Sequence, residues 1–449
     1  MKIPMTPPTL EDVVTRAADA NELLMQLLQI KPGPAPGGKY RHWDTLRHIE
    51  PPAGITAEVW WLAIKLARQS LLVDLPLVDK HEVPFRYAVP NVAQQMLMRV
   101  DRDASGQIRA AEPVTDAQTR DSYLLKSVME EAITSSQLEG ASTTREVAKD
   151  MIQRGRQPET RDERMIYNNY QALLFIRQFT SVPLTPGIVL ELHHILTDGT
   201  LDNPDAAGRL RRPDEAVHLV DEVGNVLHIP PEAATLERRL AALCDFANKA
   251  DVDHFMHPVV RAVILHFTLA YDHPFVDGNG RTARALFYWS MARDGYWLSE
   301  YISISRILRK GPGRYSRSFL YTETDGNDVT YFILSQLRVI LRAVDELNEY
   351  LAHKQAEVRA TREMIRTSAQ LREQLNSRQL GLIRHALRNP DFRYTIESHR
   401  TSNNVSYATA RSDLLRLAEF GLVEVEKGAG RLMVFVSPPD LKDRIAHAT

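Results

Sequence analysis

Helical periodicity dominates the sequence between residues 162 and 291. Apolar residues recur three and four positions apart in segments of ten to twenty residues, which is the spacing of one buried helix face. The exception is segment 216–229, where two short β-prone runs flank a Gly-Asn pair and two prolines follow, a pattern that predicts a β-hairpin. A lone hairpin is marginally stable and exposes edge hydrogen-bonding groups. We therefore expect a mainly α fold whose hairpin either accepts an incoming extended segment or merely folds over the helices.

Composition limits the class of protein and its compartment. The length of 449 residues predicts two to four compact units, and 55 Lys and Arg against 57 Asp and Glu provide no overall attraction for nucleic acid or membranes. The single cysteine, Cys244, excludes a disulfide framework and lies in an apolar helical pattern, so we expect a buried structural thiol. No apolar stretch is long enough to cross a membrane and the N-terminus lacks a signal-peptide pattern, which predicts a cytoplasmic protein without a membrane partner.

Pattern changes along the chain predict four parts. They are a mostly helical N-terminal region (1–115), a helical domain (116–335), a long connecting helix (336–376) and a C-terminal domain (377–449). The long helix carries an apolar stripe made of Leu337, Ile340, Val344, Leu347 and Leu351. Such a stripe is typical of a connecting or dimerising helix, so a homodimer is left open. In the last part, helices precede a hairpin with a Gly-rich turn, which predicts a winged helix-turn-helix.

The segment His273-Pro-Phe-Val-Asp-Gly-Asn-Gly-Arg-Thr-Ala-Arg284 concentrates polar chemistry in a turn between helices. Gly278 and Gly280 lack Cβ atoms, so backbone N–H groups can approach an anion closely. A helix that restarts near Arg281 would direct its positive end at the same anion. Arg281 and Arg284 are three residues apart, so we expect them on one helix face, where they could clamp successive phosphates.

Two further residues of this segment suit catalysis. Asp277 supplies the hard oxygen ligand that Mg²⁺ takes together with substrate phosphates. The ordinary pKa of a histidine, about 6.5, makes His273 the candidate general base at neutral pH. The segment lacks the alternating acidic ligands of an EF-hand and the Gly-x-x-x-x-Gly-Lys pattern of a Walker loop.

At every defined position, the pattern His-x-Phe-x-Asp-Gly-Asn-Gly-Arg-x-x-Arg of residues 273–284 resembles the signature of Fic-domain proteins, which transfer AMP from ATP to a hydroxyl side chain of a target protein. The resemblance covers about residues 120–335 and includes His193 and the run His257-Pro-Val-Val-Arg-Ala262. It implies a Fic-type helical bundle in which the hairpin 216–229 is the flap that docks a protein substrate.

The resemblance also implies roles for single residues. His273 would take the proton of the target hydroxyl, Asp277 would hold Mg²⁺, and Phe275 would seat the loop. Nucleotide binding would fall to Gly278, Asn279, Gly280, Arg281, Arg284 and Tyr315, the last where many relatives carry Tyr-Tyr and this chain has Tyr-Ser. The flap residues that hold the target backbone would be Val217, His218, Leu219 and Val220.

A second motif, Ser135-Ser-Gln-Leu-Glu-Gly140, resembles the inhibitory helix motif of the same family. Gly140 is typical of a helix end, so Glu139 would place a negative charge at the negative end of the helix dipole, a mismatch of about 0.3–1 kcal/mol. A cationic partner would remove that mismatch. The resemblance implies that Ser135 and Glu139 are inhibitory and that Arg284 is the partner, kept away from the ATP γ-phosphate.

Three alternatives to AMP transfer stay open. Relatives that transfer phosphate resemble a loop with Lys in place of the second glycine, so the intact Gly280 favours nucleotidyl transfer. Removal of AMP from a modified target, with Glu139 positioning water, is the second alternative. The third is a transcription regulator in which the Fic unit senses nucleotide.

DNA binding is left open but not favoured. The run Val405-Ser-Tyr-Ala-Thr-Ala-Arg-Ser-Asp-Leu-Leu-Arg416 resembles a winged-helix recognition helix, with Ser406, Thr409 and Arg411 near its exposed start. Residues 391–435, however, hold six basic and six acidic residues. Because phosphate binding needs net positive charge, this balance favours protein interaction or dimerisation over duplex binding.

Overall fold

The computed structural model describes residues 2–16, 19–30, 32–105, 117–221, 223–248, 255–296, 302–367, 374–403, 405–427 and 433–447. The chain divides into two compact units, residues 1–347 and residues 348–449. Among the described residues, no helix is long and apolar enough to cross a membrane.

The first unit is mainly helical. Its α-helices are α1 (Leu10–Arg16), α2 (Ala20–Gln29), α3 (Trp43–Leu46), α4 (Ala57–Gln69), α5 (Asn91–Val100), α6 (Ala117–Leu138), α7 (Arg145–Arg154), α8 (Arg161–Gln178), α9 (Pro186–Thr197), α10 (Leu236–Asn248), α11 (Pro258–Asp272), α12 (Asn279–Arg293), α13 (Ile304–Arg309), α14 (Pro312–Thr324) and α15 (Thr330–Thr367), whose residues from 348 onward belong to the second unit. Two antiparallel pairs of strands accompany them, β1 (Val73–Val78) with β2 (Pro84–Tyr87), and β3 (Leu219–Val220) with β4 (Val226–His228).

Threonine caps begin several of these helices. The hydroxyls of Thr56, Thr144, Thr160 and Thr185 each accept a hydrogen bond from the backbone N–H three residues further on, which satisfies one of the free donors at a helix start. α12 begins differently, since its cap is Gly278 at φ 80° without a side-chain hydrogen bond. No side-chain cap therefore satisfies the first N–H groups of α12, which suits them to another acceptor.

The core is centred on α11 and α12. Almost all residues of both helices are buried, as expected of a helix that is covered on all sides. Residues on either side of position 115 contribute to one continuous core. In it the rings of Phe85 and Phe267 meet edge to face with 5.1 Å between their centroids. Residues 106–116 lie outside the described part, and the division of the sequence into domains stays a prediction.

The β1–β2 hairpin was missed in the mostly helical N-terminal region. Its register pairs Val73 with Tyr87 and Val78 with Pro84. Pro76 lies inside β1, and a proline in a run argues against a strand. The turn also lacks the usual glycine, since Glu82 adopts the left-handed conformation at φ 61°. The local signals that would predict a hairpin are therefore absent.

The apolar stripe of α15 faces the core. Leu337, Ile340 and Val344 are at most 1% exposed, so over these residues the stripe is not a seam for a second chain, contrary to the dimerising interpretation. The side chain of Leu351 lies outside the described residues. Cys244 is 3% exposed, as the sequence predicts, and burial raises the pKa of its thiol to about 12.

The described residues of the second unit include four more helices and a small sheet. The elements are α16 (Ser377–Arg388), β5 (Tyr394–Thr395), α17 (Ile396–Asn403), α18 (Tyr407–Glu419), β6 (Glu424–Lys427), β7 (Met433–Val436) and α19 (Leu441–His447). The antiparallel sheet has the order β5–β7–β6. Residues 428–432, in which the sequence places the Gly-rich turn, lie outside the described residues.

Candidate active site

His273 lies at the start of the short connection between α11 and α12. Its backbone is left-handed, with φ 44° and ψ 56°, and its N–H caps α11 by donating to the Leu269 carbonyl. A residue other than glycine in this region carries a conformational cost of about 1–3 kcal/mol and persists only where its surroundings enforce it. The conformation of His273 therefore requires contacts from outside the connection.

Arg211 supplies such contacts. Its side chain is buried, and Nε donates to the carbonyl of His273 at 3.0 Å while Nη2 donates to the carbonyl of Pro231. The backbone N–H of Arg211 donates to the Pro274 carbonyl at 2.9 Å. The sequence does not single out Arg211, because one arginine in a loop carries no periodicity and no motif that would distinguish it from a solvated arginine.

The imidazole of His273 is held as a neutral base. Nδ1 lies 3.3 Å from the carbonyl oxygen of Ala270, which can only accept, so Nδ1 carries the hydrogen and Nε2 keeps its lone pair. Burial lowers the pKa of His273 to about 4. The side chain is therefore uncharged at neutral pH with an acceptor at Nε2, as a general base requires.

The loop after His273 is closed by internal hydrogen bonds. The Oδ1 of Asn279 accepts from the N–H of Phe275 at 2.9 Å, and its Nδ2 donates to the carbonyl of the same residue at 2.8 Å. The Phe275 ring is fully buried and stacks on His193 with 3.7 Å between ring centroids. Because Phe275 already uses Oδ1 and one hydrogen of Nδ2, the predicted contact of Asn279 with nucleotide would use the second hydrogen of Nδ2.

His193 holds the loop from α9. Its Nδ1 accepts from the N–H of Gly208 at 3.0 Å, so Nε2 carries the hydrogen and donates to the carbonyl of Asp277 at 2.9 Å. Burial lowers the pKa of His193 to about 4, which keeps this arrangement neutral. His193 is a loop-supporting residue that the motif alone did not assign.

Both glycines of the loop are required by close approaches. A Cβ on Gly278 would lie 2.9 Å from Cγ2 of Thr197, and its φ is +80°. A Cβ on Gly280 would lie 2.2 Å from Oε1 of Glu139, far inside van der Waals contact. The missing side chain of Gly280 thus makes room for the carboxylate that follows α6.

Arg284 is paired with the end of α6. Its Nε donates to Oγ of Ser135 at 2.9 Å, and its Nη2 donates to Oε1 of Glu139 at 2.8 Å. The guanidinium side chain is 2% exposed, whereas that of Glu139 is 29% exposed. α6 ends at Leu138 and Gly140 has φ +100°, so Glu139 meets a cation at the helix end as the sequence predicts.

Arg281 has different neighbours from Arg284. Its Nη1 donates to the carbonyl of Leu196 in α9 at 3.0 Å, and its Nη2 lies 3.4 Å from Oδ2 of Asp277. In the part of the chain that the structure describes, its buried Nε has no hydrogen-bond partner. The two arginines therefore do not share the contacts expected of one helix face, and their phosphate-binding roles stay predictions.

Asp277 fits a magnesium ion that is shared with a substrate. Its side chain is 48% exposed, and Oδ1 accepts from the N–H of Gly278 at 2.6 Å. Within the described ranges, no group of three or more His, Cys, Asp or Glu side chains could hold a metal by itself. One accessible carboxylate suits Mg²⁺ only where substrate phosphates complete the coordination.

Tyr315 lies next to Arg284. Its hydroxyl is 2.9 Å from Nε2 of His266, and its ring packs at 5.2 Å from Phe319. His266 is completely buried, and burial together with the charge of Arg284 lowers its pKa to about 3. The structure places Tyr315 beside the site, and its assignment to the adenine stays a prediction.

The predicted hairpin lies close to His273. β3 pairs with β4 through Leu219 opposite His228 and Val220 opposite Val226, whereas Val217 and His218 precede β3. The imidazole of His228 ties β4 to its surroundings, with Nε2 2.8 Å from the carbonyl of Tyr271 and Nδ1 2.8 Å from Oε2 of Glu323. His228 thereby fixes the hairpin to Tyr271, which is two residues before His273 in the sequence.

Comparison with known proteins agrees with this geometry. Residues 183–291 match the Fic/DOC family model. The chain is 34% identical over 116 residues to the protein adenylyltransferase Fic of Nematostella vectensis, covering 26% of this chain and 25% of that protein. It is 27% identical over 188 residues to the protein adenylyltransferase Fic of Drosophila erecta, covering 39% of this chain and 36% of that protein. The chain thus spans only about a quarter to a third of the length of these relatives.

A solved structure extends the likeness of the fold. The Fic family protein from Desulfovibrio desulfuricans G20 superposes with a TM-score of 0.51 at 19% identity, covering 77% of this chain and 95% of that chain. At this identity the likeness concerns the fold alone. The mainly helical, Fic-type fold with small β-hairpins that the sequence predicts is confirmed.

The role of Arg211 predicts a selective loss of stability. Arg211→Met leaves the carbonyls of His273 and Pro231 buried without their donor, and we expect it to lower the free energy of unfolding by about 2–4 kcal/mol. The neighbouring Arg212 is exposed, so Arg212→Met should change it by no more than about 0.5 kcal/mol. Urea denaturation measures both variants, and equal effects would contradict the assignment.

Proposed function

We propose that the chain is a protein adenylyltransferase that transfers AMP from ATP to the hydroxyl of a Ser, Thr or Tyr side chain of a target protein. The observation that carries the proposal is the neutral His273, with Nε2 free to accept a proton, placed on a loop that leads into the open N-terminus of α12. The match of residues 183–291 to the Fic/DOC family and the names of the relatives support it. Glycine at position 280, rather than Lys, favours nucleotidyl over phosphate transfer.

The proposed reaction needs one proton acceptor and one anion-binding loop. The target oxygen forms a bond to the α-phosphorus while the bond from that phosphorus to the bridging oxygen of pyrophosphate breaks. The hydroxyl proton passes to Nε2 of His273, and pyrophosphate leaves with the bonding electrons. The positive end of α12 and the N–H groups near Gly278 and Gly280 are suited to stabilise negative charge that develops on the phosphate oxygens.

Asp277 is the residue that would hold Mg²⁺. When bound, the ion neutralises phosphate charge. The loop itself contributes rigidity, because Asn279 and His193 fix its backbone through Phe275 and Asp277. The hairpin is the surface on which we place the target backbone, since both edges of the β3–β4 pair are short and Val220 and Val226 are exposed.

We further propose that Glu139 inhibits the reaction. A phosphate and a carboxylate compete for the same guanidinium group, and Arg284 is already engaged by Glu139 and Ser135. Because Glu139 lies against the Cα of Gly280, its carboxylate also repels an anion approaching the loop. Release of Glu139 would free the arginine for the γ-phosphate.

Glu139→Gly should activate the enzyme. Purified full-length protein is incubated with Mg²⁺, cell lysate and ATP labelled at the α-phosphate, and we expect incorporation to rise about tenfold or more, since an ion pair with a buried arginine is lost. Glu159→Gly, which removes an exposed carboxylate outside the site, is the matched control and should leave labelling unchanged.

The position of the label separates the alternatives. Incorporation from ATP labelled at the γ-phosphate, rather than the α-phosphate, would contradict AMP transfer and indicate phosphate transfer. If Glu139→Gly incorporates label from neither form of ATP, the proposal is overturned. Loss of AMP from a target modified beforehand, faster with wild type than with Glu139→Gly, would indicate AMP removal instead.

The pH dependence of transfer should report the buried base. A base works only when unprotonated, so activity is lost as the pH falls through its pKa. Burial lowers the pKa of His273 to about 4, with smaller contributions from His228 and Arg211 in the same direction, and this outweighs the hydrogen bond to Ala270 and the charge of Glu139, which raise it. Because the charge of Glu139 raises this pKa, we expect kcat/KM of Glu139→Gly to fall on the acid side with a midpoint at or somewhat below pH 4. The measurement uses samples that regain full activity at neutral pH. A midpoint near the ordinary value of about 6.5 would contradict this environment.

A further inference from the structure

The exposed face of α18 carries unneutralised positive charge. On the opposite face, Ala410, Leu414 and Leu417 are fully buried in the core of the second unit. The other face is exposed and forms one shallow groove along the helix. The groove is lined by Tyr407, Arg411, Ser412, Arg416 and Phe420. In the described part of this unit, Arg411 has no ion pair, while the Arg416 guanidinium lies 5.9 Å from the centroid of the Phe420 ring.

The acidic residue in the middle of this helix is turned away from that face. The side chain of Asp413 is 6% exposed. Its carboxylate accepts from Asn376 at 2.7 Å and from Arg378 at 2.8 Å, and it lies 3.3 Å from Nε2 of His399. Since Asp413 is held inside the unit, it does not offset the charge of the arginines beside it in sequence.

Three of the other five acidic residues in 391–435 are also paired, whereas Asp391 and Glu419 are exposed. Glu397 contacts Arg400, Glu424 contacts Arg444, and Glu426 contacts Arg393. Glu419 is the exposed acid at the far end of the α18 groove. The equal numbers of acidic and basic residues in 391–435 therefore do not describe the charge on the exposed face of α18.

Charge is also unevenly divided between the two units. Residues 348–449 contain 16 Lys and Arg against 12 Asp and Glu, a formal net charge of +4, whereas residues 1–347 contain 39 against 45, a net charge of −6. The near-neutral total conceals this separation. A positively charged unit with an exposed, arginine-bearing helix is the electrostatic arrangement that binds nucleic acid.

We propose that the exposed face of α18 binds duplex DNA. The order helix, strand, helix, helix, strand, strand in α16–β7, with the sheet order β5–β7–β6, is that of a winged helix-turn-helix. In this motif the second helix of the turn, here α18, enters the major groove, which is wide enough to admit a helix. Arg411 and Arg416 contact phosphates or base edges. This inference is independent of the AMP-transfer proposal.

The test uses the full-length chain and a fluorescently labelled random-sequence duplex. Binding is followed by fluorescence anisotropy from about 50 to 200 mM salt, and we expect affinity to fall steeply with salt. The double variant Arg411→Ala/Arg416→Ala should weaken binding about tenfold or more and reduce the slope of log affinity against log salt by about 2. The double variant Arg411→Lys/Arg416→Lys keeps both charges and should retain most of that slope.

A control variant removes one positive charge elsewhere in the second unit. Arg384 is an exposed arginine of α16, and Arg384→Ala should leave binding near the wild-type value. Failure of the wild-type chain to bind duplex at low salt would overturn the proposal, as would equal binding by the double alanine variant. A change in oligomeric state on Arg411→Ala/Arg416→Ala, without duplex binding by wild type, would instead assign the face to a protein partner.

Discussion

The short connection between α11 and α12 is the constraint on which the site depends. Two buried helices meet across residues 273–278, and the carbonyl groups of such a connection need donors from the protein. The carbonyls of His273 and Pro274 accept from Arg211, that of Phe275 accepts from Asn279, and that of Asp277 accepts from His193. Satisfying the backbone thereby also fixes the left-handed His273 and directs its imidazole.

The same connection couples the loop to the segment after α6. The missing Cβ of Gly280 gives the Glu139 carboxylate its place, and in the proposed reaction it would also let a phosphate approach the start of α12. Arg284 is the group for which the carboxylate and a phosphate would compete. In the proposed mechanism the inhibitory contact and the nucleotide site use the same atoms and therefore exclude each other, so one buried ion pair would control the whole site.

The two units illustrate how differently charge acts in sequence and in space. A net charge of −2 for the whole chain suggests no polyanionic partner. In the second unit, however, burial of Asp413 and pairing of Glu424 and Glu426 leave Arg411 and Arg416 exposed on one helix face. Electrostatic recognition depends on which charges reach the surface unneutralised, and a count along the chain does not contain that information.

The sequence by itself determined the mainly helical fold, the position of the β3–β4 hairpin and the loop from His273 to Arg284, because periodicity, turn residues and a dense motif are local properties. The charge at the end of α6 also predicted that Glu139 needs a cationic partner, whereas the choice of Arg284 came from the resemblance to Fic-domain proteins. Only the tertiary structure decided that Arg211 and His193 support the loop and that Arg281 and Arg284 have different neighbours. These contacts join segments tens of residues apart, and their energies depend on burial and geometry that no local pattern specifies.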